Sequence, residues 1–545
     1  MKRVSLFVGL LICCNLAVAQ QPDSRPVTLM SGLGNLRHAV STRNPEAQQF
    51  FDQGLRLVYA FNHDEAARSF QHAAELDPAM AMAYWGIAEA VGPNYNDPGN
   101  EPRRKQAYEA IQKARQLSAN GPAHERAYID ALAQRYSNDP QADLRQLSVN
   151  YANAMREVAK KYPDDLDASV IFAESLMNLH PWGLWKADGS PQENTPEIVS
   201  VLESVLRRDP NHLGAVHYYI HAVEASQNPD RALSEANRLA ALAPAAGHIV
   251  HMPAHVYIRT GYYEDAIQTN EKAAAADRAY LQASGAPGIY PMMYYSHNLH
   301  FIAISAGMTG QYEEAKKAAD QLADNVRPHV KEVPPLEAFL AIPIAVQVRF
   351  HHWANILHMP QPDTSMKMVT SFWHFARGLA LANTGKLQEA EMEHKALVDI
   401  EDATPADAIF SMPFNNKRRS ILRIADDVLA ARIACGKKDN AEEVRLLQDA
   451  VATQDALNYG EPPDWFYPVR ESLGAALLEG RQPQEAEKVF RADLEKNPRN
   501  PRSLFGLQAA LKAQTRTYDA DMVQRQFQEA WKHADMKLTL AELGT

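Results

Sequence analysis

The chain has 545 residues, of which 46% are hydrophobic and 22% are charged, and its formal net charge at pH 7 is −11. No basic stretch interleaved with aromatic residues occurs, which argues against a nucleic-acid partner. Beyond the N-terminus no apolar run approaches the roughly 20 residues that cross a bilayer, so no transmembrane segment is expected. Alanine, leucine, glutamate and glutamine dominate and alternating β-branched runs are absent, which predicts an all-α protein.

The N-terminus has the pattern of a secretion signal. A basic Lys2-Arg3 pair precedes the apolar run 4–12, and residues 17–19 form an A-x-A cleavage site. We therefore predict that the protein is exported, to the periplasm or the extracellular space. The two cysteines of this segment do not follow the small residue that lipidation needs, but the sequence leaves a lipoprotein form open.

An internal repeat follows the N-terminal segment. Its first copy and a copy near the C-terminus share their offsets apart from one position, and they read Gly54, Ala66, Phe70, Ala73, Pro78 and Gly474, Ala486, Phe490, Asp493, Pro498. A turn signature, Gly-x-(Tyr)-x-x-Ala, begins at Gly261 and Gly310. Small residues at fixed positions let two helices approach closely, and the proline ends the second helix of each unit. This pattern resembles the tetratricopeptide repeat (TPR), a helix-turn-helix unit of about 34 residues.

The resemblance implies a right-handed superhelical solenoid of TPR-like helical hairpins, in which each unit packs on its neighbours. The match is best at 47–90, 213–322 and 467–510 and is poor at 325–365. The predicted organisation is a signal peptide at 1–19, an N-terminal extension at 20–45 and a TPR-like α-solenoid at 46–545.

Histidines are concentrated in the middle of the chain. Of the 20 histidines, those between 217 and 300 fall in the motifs HYYIH, GHIVHMPAH and SHNLH, and they are His217, His221, His248, His251, His255, His297 and His300. Spacings of three and four residues put side chains on one helix face, about 5–6 Å apart at Cβ. Helices packed roughly 8–10 Å apart bring imidazoles of neighbouring units to one ion. The pattern predicts a site for zinc, copper, iron or nickel.

Through the resemblance, the repeat register places all these histidines on the first helices of three consecutive units, which line the concave groove of TPR proteins. Glu224 lies one turn beyond His221 and is the expected carboxylate of the site, as a ligand or as an imidazole partner. The other expected groove neighbours are Asp167, Glu174, Arg259 and Asn298. Pro253 interrupts the unit, so either its first helix kinks or it starts late, with His248 and His251 on the preceding loop.

The chain also resembles a group of long exported bacterial TPR proteins that carry FNHDEA, HMPAH and SHNLH. That resemblance implies a fold but no reaction, and it carries over no catalytic residue. The motifs of serine hydrolases, HExxH proteases, P-loops and dinucleotide folds are absent from credible positions. We therefore predict an exported solenoid with a transition-metal site in its groove, catalytic or not. The alternative is a metal-free periplasmic scaffold that binds a peptide or partner protein there. The aromatic stretch 459–467 either packs in the core or covers the groove mouth.

Overall fold

A computed structural model of the chain describes residues 25–411 and 415–543, and the signal peptide predicted at 1–19 lies outside these residues. The described residues form α-helices joined by turns and short 3₁₀ segments, with β-pairing limited to two isolated bridges. Among them, none of the helices is both long and apolar enough to cross a membrane. The prediction of an all-α helical-repeat solenoid is confirmed.

Along most of the chain, each helix packs against the next one in sequence. The first half carries α1 (Pro45–Tyr59), α2 (His63–Leu76), α3 (Ala81–Val91), α4 (Glu101–Ser118), α5 (Ala123–Leu132), α6 (Leu144–Lys161), α7 (Leu166–Met177), α8 (Thr195–Arg208), α9 (Leu213–Val223), α10 (Leu233–Leu242), α11 (Gly247–His251), α12 (Pro253–Thr260) and α13 (Tyr263–Ser284). The second half carries α14 (Tyr295–Thr309), α15 (Tyr312–Val326), α16 (Glu337–Leu340), α17 (Ile342–Arg349), α18 (Trp353–His358), α19 (Lys367–Asn383), α20 (Leu387–Ala403), α21 (Arg418–Gly436), α22 (Asn440–Asp455), α23 (Arg470–Glu479), α24 (Pro483–Lys496), α25 (Pro501–Ala513) and α26 (Thr517–Ala530).

The repeated aromatic residue explains the repeated small residues. Phe70 is fully buried on α2. A Cβ at Gly54 on α1 or at Gly86 on α3 would lie 2.7 or 2.4 Å from its ring. The ring therefore fixes three consecutive helices, and only glycine leaves room for it. The C-terminal copy repeats the arrangement around Phe490. At the turns between helices, Gly261 and Gly310 have φ of 79° and 77°, a conformation that favours glycine.

The unit with the HMPAH motif departs from a regular hairpin. Its first helix is divided, because α11 ends at His251 and α12 begins at Pro253. Met252 joins them in a helical conformation, with φ −53° and ψ −32°. Pro253 has no N–H to continue the helical hydrogen-bond ladder from α11, so the helix is interrupted there. A kinked first helix is therefore the better of the two expectations, and His248 and His251 lie on a short helix and not on a loop.

The C-terminal hairpins return to the middle of the solenoid. The carboxylate of Asp535, after α26, accepts hydrogen bonds from the backbone N–H groups of Tyr312 and Glu313 at 2.9 and 3.0 Å. Arg349 at the end of α17 donates to both oxygens of Glu471 on α23, and both side chains are buried. These contacts bring the C-terminal units against α15 and α17, so residues of both halves of the chain line the surface between them.

Candidate metal centre

The middle of the solenoid brings six histidines into one buried cluster. They form two groups in which one ring nitrogen of each residue lies within 4.8 Å of the others. The first triad is His217 and His221 on α9 with His248 on α11, and the second triad is His251 on α11, His255 on α12 and His297 on α14. The two triads adjoin, since the ring centroids of His221 and His255 are 5.6 Å apart.

One carboxylate links the two triads. Glu224 directly follows α9 and is 1% exposed. It accepts a hydrogen bond from Nδ1 of His221 at 2.8 Å and another from Nδ1 of His255. Burial by itself raises the pKa of Glu224, but His255 and His221 outweigh it and lower that pKa to about 2. An ionised carboxylate only accepts, so both histidines present Nδ1–H to it and keep Nε2 for another partner.

Two further imidazoles have their tautomers set by oxygen acceptors. Nδ1 of His217 lies 2.6 Å from the carbonyl oxygen of Tyr59. Nδ1 of His251 lies 2.6 Å from Oδ1 of Asn270, and the Asn270 amide is oriented by its own donation to the carbonyl of Ala266 at 2.7 Å. A carbonyl oxygen only accepts, so His217 and His251 also carry their hydrogen on Nδ1 when neutral. Their Nε2 atoms then offer lone pairs.

The Nε2 atoms converge inside each triad. Nε2 of His251 lies 2.9 Å from Nε2 of His255, and Nε2 of His217 lies 3.2 Å from Nε2 of His248. Nε2 of His221 is buried and has no hydrogen-bond partner among the described residues. Two nitrogens that share a tetrahedral ion, with bonds of about 2.0–2.1 Å, lie about 3.3–3.4 Å apart. The separation in the first triad is close to that value, and that in the second triad is shorter.

A hydrogen bond can join the two Nε2 atoms of each close pair. Although burial disfavours the imidazolium, Glu224 raises the pKa of His255, so His255 can donate Nε2–H to His251. Burial and the neighbouring histidines lower the pKa of His248 well below its usual value. A neutral His248 can still donate Nε2–H to His217. His221 has no such donor, because its Nδ1–H is committed to Glu224, and its buried Nε2 lone pair is left without a partner.

The cluster forms one wall of a cavity of about 540 Å³. His221, His248, His255 and His297 reach this cavity, which we call the chamber. Its remaining walls are mainly apolar and include Phe61, Trp182, Tyr294, Phe339, Phe372 and Phe466. An ion held by a triad would therefore keep one side open to a molecule in the chamber.

Two loops line the chamber beside the cluster and are joined to each other by hydrogen bonds. Trp182, between α7 and α8, donates its Nε1–H to Oδ1 of Asn96 at 2.9 Å. Asn96, after α3, donates in turn to the hydroxyl of Tyr294 at 3.1 Å. The rings of Trp182 and Tyr95 lie 5.5 and 5.2 Å from the ring of His221. Tyr294 ends a π-helical turn, Tyr290–Tyr294, that runs directly into α14.

The stretch 459–467 was expected either to pack in the core or to cover the groove mouth. Part of it packs in the core, and part of it lines the chamber. Trp465 is buried in the core, whereas Glu461 and Phe466 line the chamber. The hydroxyl of Tyr459 donates to Oε1 of Glu461 at 2.7 Å, and Oε2 is buried without a hydrogen-bond partner among the described residues. Burial, opposed by His255 and Arg259, raises the pKa of Glu461 to about 7. A buried carboxyl group with a raised pKa thus lies beside the cluster.

Two other predicted residues are near the cluster but outside the triads. His300 lines the chamber, and burial lowers its pKa to about 3. It lies one turn beyond His297 on α14 and belongs to neither triad. Arg259 donates to the main-chain oxygens of Glu224 and Ser226 at 3.1 and 3.2 Å, and so holds the end of α9 in place.

The remaining predicted neighbours belong to separate buried networks. Asp167 accepts from Nδ1 of His38 at 2.8 Å and from the hydroxyl of Tyr59 at 2.7 Å. Glu174 pairs with Asn178, and burial raises its pKa to about 8. Asn298 donates to Asp277 on α13 at 2.7 Å. Among the described residues, no hydrogen bond joins these three side chains to a histidine of either triad.

Several residues that hold the cluster together were not predicted from the sequence. Asn270 offered a usable signal, because it stands four residues after Ala266, where the unit of Phe70 has its aromatic residue. A polar side chain at a buried packing position indicates a buried hydrogen-bond partner. Trp182 lies in an insertion between units, and Tyr59 contributes only a main-chain oxygen. Neither leaves a pattern in the sequence.

No family model matches the chain, and no curated protein sequence is significantly similar to it. Similar solved structures include a human IFIT1 dimer with m7Gppp-AAAA, at 12% identity over 90% of this chain and 96% of that chain, with a TM-score of 0.34. Yeast Tom70 matches at 11% identity over 89% and 90%, with a TM-score of 0.29. The P58(IPK) TPR domain matches at 11% identity over 86% and 99%, with a TM-score of 0.23. The likeness extends to the general helical-repeat fold and no further.

Proposed function

We propose that this protein binds a transition metal through its histidine triads, at the wall of the chamber. The observation that carries the proposal is the buried Nε2 of His221, a lone pair without a donor in a triad whose nitrogens converge. Imidazole ligands suit zinc, copper, iron or nickel. Calcium and magnesium prefer oxygen ligands, and the triads offer only nitrogen.

The chamber favours a site that acts on a small molecule over a purely structural ion. Structural zinc sites are usually closed by four protein ligands, whereas each triad supplies three and faces a cavity. The mainly apolar walls suit a small, largely apolar molecule. Glu461, with a pKa raised to about 7, is placed to accept or donate a proton there. When bound, the metal would supply Lewis-acid or redox chemistry towards water or dioxygen.

We further propose, from the N-terminal sequence and the resemblance to exported bacterial TPR proteins, that the chain is exported. The alternative function is a metal-free scaffold that binds a peptide or protein in the groove. The Trp182 loop and the stretch 459–467 line the chamber beside the histidines. These side chains take up part of the groove that an extended peptide would occupy.

The test is the metal content of protein purified without an affinity tag. We expect about one or more equivalents of transition metal per chain. Less than about a tenth of an equivalent, with no uptake on reconstitution, would contradict the proposal. His221→Ala, His251→Ala and His255→Ala should each lower the bound metal while the helical content stays unchanged. His352→Ala, beside Tyr312 and away from the triads, should leave the metal content unchanged.

A further inference from the structure

We infer that the six histidines hold two metal ions, one in each triad, and that Glu224 positions one ligand of each. This inference rests on the proposed metal-binding function and deepens it. A single transition-metal ion takes about four protein ligands at such sites, and six imidazoles exceed that number. They are also divided into two sets, each with its own close Nε2 pair, at 3.2 Å in the first triad and 2.9 Å in the second.

The divided helix of the HMPAH unit distributes ligands to both triads. α11 supplies His248 to the first triad and His251 to the second. His248 and His251 are three residues apart on α11, a spacing that often serves one ion. Here His251 instead pairs with His255 on α12, across the junction at Pro253. The ring centroids of His248 and His251 are 5.7 Å apart. The two triads therefore lie side by side along this junction.

Glu224 is the feature that the triads share. It accepts Nδ1–H from His221 of the first triad and from His255 of the second. Its negative charge is buried where two cations would otherwise be close together in a medium of low polarity, and it lowers their repulsion. Because both imidazoles are oriented by the same carboxylate, loss of Glu224 should weaken both ions, whereas loss of His248 or His297 should remove one ion only. Neither of these two histidines contacts Glu224 by a hydrogen bond in the described part of the chain.

The experiment is a titration of the metal-free protein with Co²⁺, followed by visible absorption and by metal analysis after gel filtration. We expect two equivalents for the wild type and one for His248→Ala and for His297→Ala. His300→Ala is the matched control, since His300 lines the same chamber outside both triads, and it should retain two equivalents. Circular dichroism reports whether each variant is folded.

The outcomes separate the inference from the function on which it rests. If the wild type binds one equivalent, the two-ion inference is overturned and the metal-binding function stands. If it binds none, the function itself is overturned. If either single-histidine variant is folded and loses both ions, the triads are not separate sites. With Cu²⁺ as the probe, we expect the electron paramagnetic resonance signal per ion to be weaker and broader in the wild type than in His297→Ala, because adjacent ions couple. Equal signals per ion would also overturn the inference.

Discussion

Replacement of Glu224 by glutamine tests the tautomer argument at its centre. The carboxylate accepts Nδ1–H from His221 and from His255. An amide has one oxygen and one NH₂ group, so Glu224→Gln can accept from only one of them. The other imidazole must then rotate or place its hydrogen on Nε2, which blocks the lone pair that binds metal. The substitution changes neither the length of the side chain nor the number of its heavy atoms, so its effect is chiefly electronic.

The expected loss is about 10- to 100-fold in metal affinity, the usual effect of removing a carboxylate that orients a ligating histidine. That factor equals about 1.4–2.7 kcal/mol of binding free energy. The affinity is measured by competition with a chromophoric chelator at about pH 7.5, where free imidazole is mostly neutral. Circular dichroism should show unchanged helical content.

Glu174→Gln provides a matched control, because Glu174 is 7% exposed and lies away from the triads. Its affinity for metal should stay within about twofold of the wild type. The tautomer argument is refuted if Glu224→Gln binds as tightly as the wild type. It is also refuted if the two variants lose affinity for metal equally, since the loss would then follow from removing any buried carboxylate and not from the two hydrogen bonds of Glu224.

Three further predictions concern stability. Gly247→Ala should lower the free energy of unfolding in urea by about 1–3 kcal/mol, because the new Cβ would lie 1.9 Å from Oδ1 of Asp277. An unchanged free energy of unfolding would contradict the packing described. Burial lowers the pKa of His63 to about 3, so only the unfolded chain takes up this proton as the pH falls below about 6.5. The free energy of unfolding should therefore decline from about pH 6.5 towards 3, by up to about 1.4 kcal/mol per pH unit from this group. His63→Leu should remove this contribution to the pH dependence. The exposed control His533→Leu should leave it in place. A strong chelator should lower the melting temperature at about pH 7.5 and have much less effect at about pH 5, because metal-bound imidazoles must be neutral. An equal decrease in melting temperature at both pH values, after long incubation with the chelator, would count against histidine ligation.

The fold was predictable where the repeat leaves local marks. Phe70 and Gly54 are visible in the sequence at fixed offsets, and each has a direct packing reason in the structure. The clustering of the histidines followed from the same register. The register did not give the hydrogen-bond partners of Asp167 and Glu174, because it gives the face of a helix but not which residues lie opposite. An insertion at 178–194 separates α7 from the histidine units, and both carboxylates meet other neighbours.

The finer geometry of the site was not predictable from one sequence. The division into triads depends on which neighbouring helix each histidine meets: His248 pairs with His217 on α9, whereas His251 pairs with His255 one turn along its own unit. The prediction that Pro253 disturbs the unit was sound, but a proline is compatible with several backbone paths. The contribution of Glu461 required the C-terminal units to return to the middle of the chain, a long-range arrangement for which no local pattern exists.

That return also changes how the chain is expected to unfold. An open solenoid is a series of units with nearest-neighbour contacts, so its terminal units can fray independently of the rest. Here the bond from Asp535 to Tyr312 joins residues 223 positions apart, and the pair of Arg349 with Glu471 joins residues 122 positions apart. The last hairpins cannot open without breaking contacts to central ones, so the unfolding transition should be more cooperative than in an open repeat array. Contacts of such sequence separation also slow folding, and the chamber forms only after both ends of the loop have been synthesised.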